Sequence, residues 1–210
     1  MRLQYLFSQA AHNLRRNALV VVAAILAVFE AERRCTVQAR WVEGAFAMRK
    51  RRIDLAYYAK RASGSAVAAV PPAQVWQIVS AIGGENRYYY LNSLWALREF
   101  MDWLAGGHGL KRGRRDPQEL RFGDQVDSWE VIGLEPERRL TLAFGMRAPG
   151  AGVLEFEILP LDDRRTRVTA TAYWHPAGVL GLIYWYSLEP AHRIIFDGMT
   201  REIARRAEAR

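Results

Sequence analysis

Cysteine is almost absent from this chain. Only Cys35 occurs among 210 residues, so no disulfide can form within the chain and a disulfide-stapled secreted fold is excluded. This usage fits a reducing compartment, and we expect a cytoplasmic protein. Half of the residues are hydrophobic and a quarter are charged, which supports a packed core and excludes wholesale disorder. The length suits one domain, or one domain with an extension.

The sequence also lacks the short motifs that mark several enzyme classes. His12, His108, His175 and His192 are never spaced as H-x-H or H-E-x-x-H, so we expect no metal site. No G-x-S-x-G elbow of a hydrolase occurs, and the glycines of residues 106–113 do not form a phosphate loop. No G-x-G-x-x-G follows a strand, so we expect the chain alone to bind neither NAD(P) nor another cofactor.

The basic charge is confined to the first third of the chain. Residues 1–70 carry the whole formal net charge of +8, and in residues 71–210 the basic and acidic residues balance to a net charge of zero. A nucleic-acid-binding domain would carry a basic face on its folded body, so we expect no nucleic-acid partner. The basic segment is either a solvated extension, which we favour, or a contact with an anionic membrane surface.

An unbroken apolar run covers residues 18–29. Twelve helical residues rise about 18 Å, short of the roughly 30 Å hydrocarbon core, so we expect no spanning helix. Three interpretations stay open: an interfacial helix that associates with a membrane, an uncleaved signal-like segment, and an artefact of start-codon choice with Met48 as the alternative start. We divide the chain into a basic extension, residues 1–52, and a folded domain, residues 53–208.

Hydrophobic periodicity predicts an α+β domain. The expected elements are a strand over 56–70, helices over 73–82 and 88–104, strands over 124–134, 139–147, 153–159 and 166–174, and a helix over 179–207. Pro190 lacks an N–H and should kink or split the last helix. An apolar stripe follows the helical spacing at Leu180, Ile183, Ser187, Ala191, Ile194, Met199 and Ile203. We expect Leu180, Ile183, Tyr184 and Ile194 to face the space between this helix and the sheet. The alternation within 124–134 assigns neither face to the core.

Several stretches, in order along the chain, resemble one family. They are IGGENRYYYLNSLWALREFMDWLAGGHGLKRGRRDP, FGDQVDSWEV, LEFEI and GLIYWYSLEPAHRIIFDGM. Residues 53–208 resemble an uncharacterised bacterial family of unknown function in the START/SRPBCC superfamily, which includes polyketide cyclases and birch-pollen-allergen proteins. The resemblance implies a helix-grip fold, an antiparallel sheet wrapped around a long C-terminal helix with a cavity between them. It also implies a separate dehydrogenase-like partner, since family members often follow a short-chain-dehydrogenase-like domain that this chain lacks.

Aromatic residues carry the strongest functional signal. Six of the seven tryptophans lie beyond residue 70, and Tyr88–Tyr90 and Tyr184–Tyr186 are consecutive aromatic triplets. Consecutive aromatics cannot all face one core, so some line a cavity or second surface, the alternative being core packing with amphipathic edges. A mostly apolar pocket for a small apolar molecule fits this pattern. The candidate ligand-binding residues are Tyr88, Trp95, Trp129, Leu142, Phe144, Met146, Phe156, Trp174, Ile183 and Tyr184.

One carboxylate offers candidate acid–base chemistry. Asp127 is expected to share a strand face with Trp129, and a desolvated Asp127 could act as general acid or base with Tyr173 or His175. The alternative, which we favour, is a carboxylate paired with an arginine. The chain is therefore first a binding module, with two alternatives: a cyclase- or hydratase-like enzyme, and an accessory domain of a dehydrogenase-like partner.

An arginine-rich loop offers a candidate anion clamp. Arg112, Arg114 and Arg115 could hold a carboxylate or phosphate at a cavity mouth by two-point contacts. The favoured alternative is a structural loop in which Arg114 or Arg115 pairs with Asp116 or Asp102, since charge runs are usually solvated or locally paired.

Overall fold

The computed structural model describes residues 60–107, 109, 112–117 and 119–210, the backbone of Val42–Glu43, and five helical residues between 18 and 27. The expected strand start at 56–59, and His12 and His108, lie outside the described residues. The chain divides into two compact units, residues 1–36 and 37–210. The predicted boundary at 52/53 and the cytoplasmic location stay predictions. Among the described residues, no helix has the length and apolar character that crossing a membrane requires.

The second unit is built on a six-stranded antiparallel sheet with the order β2-β8-β7-β5-β4-β3. Its strands and helices are β1 (Val42–Glu43), β2 (Lys60–Ala68), α1 (Pro72–Val79), α2 (Asn92–Leu104), β3 (Gln125–Val126), β4 (Trp129–Glu135), β5 (Arg139–Phe144), β6 (Arg147–Ala148), β7 (Gly150–Asp162), β8 (Arg165–Pro176) and α3 (Gly178–Glu208). The short strand β1 pairs with β6. The long helix α3 packs against β2 and β8, which confirms the expected α+β helix-grip fold.

Residues 124–134 do not form the single strand that we expected. A turn at Asp127, whose φ is 53°, separates β3 from β4. Asp127 therefore does not share a strand face with Trp129, and that expectation was wrong. In β4, Trp129 and Val131 belong to the core cluster, and a bulge between Val131 and Gly133 shifts the register beyond them. The bulge explains why simple alternation assigned neither face to the core.

The helix expected over 88–104 begins only at Asn92. Arg87, Tyr89 and Leu91 all have positive φ, at 56°, 65° and 45°, and residues in that conformation cannot belong to a right-handed helix. The aromatic triplet Tyr88–Tyr90 is thus an irregular segment before α2. This conformation turns neighbouring tyrosines in different directions, so Tyr88 is fully buried while Tyr89 and Tyr90 are partly exposed.

Two expectations for the last helix are only partly met. The helix α3 runs continuously through Pro190, so it is not split there, and a kink at Pro190 stays a prediction. The expected apolar stripe is wrong at Leu180, Ile183 and Ile194, which are 65%, 52% and 57% exposed, and right at Met199 and Ile203, which are fully buried. The other buried residues of α3 include Leu182, Trp185, Ile195 and Phe196. The first turns are apolar on every side, so periodicity alone does not select the buried face.

The helix α3 approaches the backbone of the sheet closely at Gly64 in β2. A Cβ on this glycine would lie 2.4 Å from the backbone nitrogen of Asp197 and 2.4 Å from the carbonyl carbon of Phe196. Farther toward the N-terminus of α3, bulky side chains such as Trp185 and Trp174 stand between helix and sheet. The helix also approaches the end of β8 closely at its own N-terminal end, where a Cβ on Gly181 would lie 2.3 Å from the Pro149 carbonyl oxygen and 2.8 Å from Pro176 Cα. The space between helix and sheet lies between these two contacts.

Candidate functional site

An apolar cavity of about 160 Å³ lies between α2, the N-terminal half of α3 and the strands β4, β5, β7 and β8. Six of the ten candidate ligand-binding residues line it: Trp95, Trp129, Phe144, Met146, Trp174 and Tyr184. The other four do not. Tyr88, Leu142 and Phe156 are fully buried in the core, and Ile183 is exposed. Ligand binding by all ten stays a prediction.

A series of aromatic rings in mutual contact runs along the cavity wall and continues into the core at Tyr88. Successive ring centroids lie 4.5 to 6.3 Å apart along the series Tyr88, Trp95, Trp129, Phe144, Trp174 and Tyr184. Stacked and edge-to-face pairs at these distances are mutually attractive and hold each ring in one orientation. The wall is therefore rigid and presents ring faces and edges to an occupant.

Two glycines in β7 admit the Trp174 indole. A Cβ on Gly150 would lie 2.4 Å from Trp174 Cζ2, and one on Gly152 would lie 2.9 Å from Trp174 Cε3. Gly152 is also the register partner of Trp174 across the sheet. The indole thus lies over β7 because these positions carry no side chain. The sequence G-A-G at the start of β7 is the signal for this placement, and the sequence analysis missed it.

Arg98 of α2 is the charged residue of the described cavity lining, and it was not among the predicted site residues. Its Nε donates to the Tyr184 hydroxyl at 2.8 Å, and its Nη2 donates to the Arg147 carbonyl at 3.1 Å. The guanidinium lies 5.1 Å from the Phe144 ring centroid. Burial raises the pKa of Tyr184, and Arg98 opposes that rise. Arg98 therefore fixes the Tyr184 ring at the cavity wall.

His192 of α3 is a second lining residue that the sequence analysis did not propose for the cavity. Its ring lies 5.1 Å from the ring of Trp185 and 5.7 Å from that of Phe196. Burial lowers its pKa to about 4, against the opposing charge of Glu189. The imidazole is therefore neutral at pH 7 and suits an apolar environment.

We expect His192 to make folding stability depend on pH between about 6.5 and 4. The histidine of the unfolded chain takes up a proton below its usual pKa near 6.5, while the folded protein resists protonation until about 4. The contribution of neutral His192 to the free energy of unfolding is thus complete above pH 6.5. It falls by about 1.4 kcal/mol per pH unit as the pH drops toward 4. Urea unfolding at stepped pH measures this slope.

The variant His192→Phe should remove that slope. Glu202 supplies an internal comparison at lower pH. Its hydrogen bonds and ion pairs with Arg205 and Arg206 lower its pKa to about 2. The stability that Glu202 contributes is therefore lost only below its usual pKa near 4.5. A variant that keeps the full decline between pH 6.5 and 4.5 would contradict the assignment to His192.

Asp127 holds three parts of the fold together. Its carboxylate accepts hydrogen bonds from the Tyr88 hydroxyl at 3.0 Å, from the Gly84 N–H at 3.2 Å and from the Gly113 N–H at 2.9 Å. Burial, followed by the charge of Asp127, raises the pKa of Tyr88 well above its usual value. Asp127 thus ties the residues before α2 and the arginine-rich loop to the β3–β4 turn.

The three candidate acid–base residues do not share one pocket. Tyr173 lines the apolar cavity, Asp127 lines a separate polar surface pocket beside the arginine-rich loop, and His175 lines neither. Within the described ranges, no three His, Cys, Asp or Glu side chains converge as metal ligands would. The expected pairing of Asp127 with an arginine is also not what is seen, since its hydrogen-bond donors are a phenol and two backbone N–H groups.

We expect Asp127→Asn to lower the free energy of unfolding by about 1–3 kcal/mol. An amide has one acceptor oxygen in place of two. If Oδ1 keeps the N–H groups of Gly84 and Gly113, the Nδ2 amino group faces the buried Tyr88 hydroxyl, which then loses its acceptor. Chemical unfolding measures the loss. Asp163→Asn, at an exposed turn, is the matched control and should change stability by less than about 0.5 kcal/mol. Equal stability of the two variants would contradict a structural role for Asp127.

The three arginines of the candidate clamp all have partners within the chain. Arg112 donates to the buried Glu99 carboxylate, with Nη2 at 2.8 Å, and Arg115 makes a two-point contact with Asp124 at 2.9 and 3.0 Å. Arg114 donates to backbone carbonyls, that of Asp116 among them. The loop is therefore locally paired, as in the structural alternative that we favoured. The carboxylates are Glu99 and Asp124 rather than the expected Asp116 and Asp102. Anion binding stays a prediction.

Known proteins resemble the chain mainly in fold. The aromatase/cyclase Zhui from Streptomyces sp. R1128 is 15% identical, with a TM-score of 0.46, covering 72% of this chain and 94% of that one. Truncated norcoclaurine synthase from Thalictrum flavum is 11% identical, with a TM-score of 0.43, covering 70% and 91%. A conserved protein from Geobacillus kaustophilus is 14% identical, with a TM-score of 0.40, covering 71% and 96%.

Sequence comparison gives a firmer placement. No curated protein matches the chain. One family model does match, and it spans residues 53–199, which include the sheet, α2 and most of α3. The chain therefore belongs to the family described as protein of unknown function DUF2867.

Proposed function

We propose that this domain binds one small, largely apolar ring molecule in the cavity between the sheet, α2 and α3. The observation that carries the proposal is an apolar space of about 160 Å³, partly open to solvent and lined largely by apolar and aromatic side chains. Protein interiors are close-packed and leave few voids larger than a water molecule. The rings around this space lack contacts that an apolar occupant would supply.

The volume sets the size of the ligand. An engineered apolar cavity of about 150 Å³ in another protein takes up benzene. The present cavity thus suits a molecule of one ring or two fused rings. A sterol or a long fatty acid would have to extend far past Leu97 and Met101, which lie at the solvent side of the lining and are 53% and 51% exposed.

Titration calorimetry with indane, naphthalene, cholesterol and palmitate tests the proposal. We expect saturable binding of indane and naphthalene at one molecule per chain, with a raised melting temperature, and no enclosed binding of the two larger lipids. Absence of saturable binding by either ring compound, or tighter binding of a lipid, would contradict the proposal.

A cavity-filling variant provides the matched control. Ala191 of α3 lines the cavity, so Ala191→Phe should place a ring in the space and weaken indane binding at least tenfold. Ala209→Phe makes the same change at an exposed residue after α3 and should leave binding unchanged. Equal affinities in the two variants would place the ligand elsewhere.

A second function, partner binding, is favoured by a different observation. The outer face of α2 exposes apolar side chains: Leu97 at 53%, Phe100 at 46%, Trp103 at 52% and Leu104 at 65%. The Phe100 and Trp103 rings are stacked at 5.8 Å. Grouped exposed apolar residues commonly mark protein contacts. We propose a dehydrogenase-like protein as the partner, because the family resemblance implies one.

Mixing experiments test the partner proposal. The dehydrogenase-like domain of a family member, added as a separate protein, should form a complex with this chain in analytical ultracentrifugation. The double variant Phe100→Ser and Trp103→Ser should prevent the complex without weakening indane binding. No complex with the unaltered chain, or a complex that the variant retains, would contradict the proposal.

A further inference from the structure

We propose that the ligand of this cavity carries one carboxylate, which pairs with the guanidinium of Arg98. This inference rests on the proposed function and narrows it to a class of molecule: monocarboxylic acids on one ring or two fused rings. It follows from a positive charge in the cavity wall that no acidic side chain of the described residues balances.

The charged end of Arg98, and not only its aliphatic stem, lies at the cavity wall. Its guanidinium carbon is 5.1 Å from the centroid of the Phe144 ring and 5.6 Å from that of the Tyr184 ring. Both of these residues line the cavity together with Arg98. Hydrogen bonds to the Tyr184 hydroxyl and the Arg147 carbonyl hold the guanidinium in place. A fixed positive charge therefore borders a largely apolar space.

This charge has no carboxylate partner within the described part of the chain. The described lining includes no Asp or Glu. The neighbouring carboxylates of α2 serve other groups, since Glu99 pairs with two other arginines and Asp102 accepts two backbone N–H groups. The rings, hydroxyl and carbonyl around Arg98 attract a cation but carry no net negative charge. Charges taken out of water are usually paired, so the imbalance calls for an anion from outside the chain.

Arg98 also keeps hydrogen-bond donors for such an anion. Its two hydrogen bonds to the protein use Nε and one hydrogen of Nη2. Among the described residues, Nη1 has no partner, and it is not sealed off from solvent, because Arg98 is only partly buried. A ligand oxygen can therefore bind Nη1 without displacing either existing hydrogen bond. Hydrogen bonds between two charged groups are about twice as strong as neutral ones.

The charge of the lining selects a carboxylate among the common anions. One guanidinium balances one negative charge, which is the charge of a carboxylate. A phosphate monoester carries nearly two at neutral pH, and the rest of the lining is largely apolar or aromatic. The ring of the ligand then lies against the aromatic wall, and its carboxylate lies beside Arg98.

Three compounds with one skeleton test the inference on the unaltered protein. They are indane, 2-indanecarboxamide and 2-indanecarboxylate, and the last two have nearly the same shape but differ in charge. In a cavity without a cation to pair with, the carboxylate would bind more weakly than the carboxamide, because it is the costlier group to take out of water. We expect the opposite order at neutral pH, with the carboxylate binding about tenfold more tightly or better.

Substitution of Arg98 assigns the preference to its source, and the readout is the ratio of the two affinities. In Arg98→Met the order should reverse, so that the carboxamide binds more tightly. Arg98→Lys keeps the charge and should keep the original order. Arg164→Met removes an exposed arginine outside the cavity lining and should leave the ratio unchanged. A ratio that Arg98→Met leaves unchanged would overturn the inference.

Spectroscopy of the unaltered chain covers the case in which Arg98→Met fails to fold. The Nε–H signal of Arg98 in nitrogen–proton correlation spectra should shift more with the carboxylate than with the carboxamide, and that of Arg164 should stay in place. Competition with indane should displace the carboxylate, since both occupy one cavity. Equal shifts, no displacement by indane, or a carboxylate that binds no more tightly than the carboxamide would overturn the inference. Failure of all three compounds to bind would overturn the proposed function itself.

Discussion

Replacing Phe144 by alanine is expected to lower the free energy of unfolding by about 3–5 kcal/mol. The ring is 8% exposed and lies edge-on to Trp129 at 5.4 Å and to Trp174 at 5.8 Å. The guanidinium of Arg98 covers it at 5.1 Å. Its removal takes apolar area out of the core and enlarges the neighbouring cavity, since packed aromatic neighbours close such a space only in part.

Denaturant unfolding of Phe144→Ala measures this cost. Phe122→Ala is the matched control, because Phe122 is 74% exposed and its loss should change stability by less than about 0.5 kcal/mol. The enlarged cavity of Phe144→Ala should also shift the binding preference from indane toward naphthalene. A cost no greater than that of Phe122→Ala would show that Phe144 is not packed as described.

Replacing Gly64 by alanine is expected to cost about 3 kcal/mol, the upper part of the range for overpacking. The new methyl group would meet the backbone of α3 at 2.4 Å, and a backbone atom cannot rotate away as the end of a side chain can. The helix or the strand must therefore shift, with loss of contacts along Met199 and Ile203. Both of these residues are fully buried.

The melting temperature and the free energy of unfolding measure the effect of Gly64→Ala. Ser65→Ala, at the exposed neighbouring position of β2, controls for a substitution in the same strand and should be nearly neutral. If the two variants were equally stable, α3 would not lie against β2 at Gly64.

The sheet could be predicted because its central strands alternate large apolar residues with small or polar ones along the sequence. In β5, Leu140 and Leu142 are fully buried, and in β7 the same holds for Leu154 and Phe156. Such alternation assigns one face to the core from local spacing alone. The turn at Asp127 escaped prediction because its positive φ is stabilised by Tyr88, a residue 39 positions away. The residues next to Asp127 in the sequence give no indication of that contact.

The cavity could be predicted only in part, because composition shows which residues are aromatic but not which residues meet in the fold. Aromatic composition pointed to Trp95, Phe144 and Trp174 without any knowledge of their contacts. Arg98 and His192 were missed because each owes its role to tertiary contacts, as in the hydrogen bond from Arg98 to Tyr184, 86 residues away. Ile183 is exposed and lies outside the cavity lining; the sequence suggested it because an all-apolar helical turn gives no preferred face.

A crystal structure of the protein soaked with bromobenzene tests the central claim most directly, because the anomalous signal of bromine locates a single ring without ambiguity. We expect one bromine site within the space lined by Phe144, Trp174 and His192, with the surrounding rings in the orientations described above. A bromine site on the outer face of α2 instead, or a cavity closed by its own side chains, would contradict it.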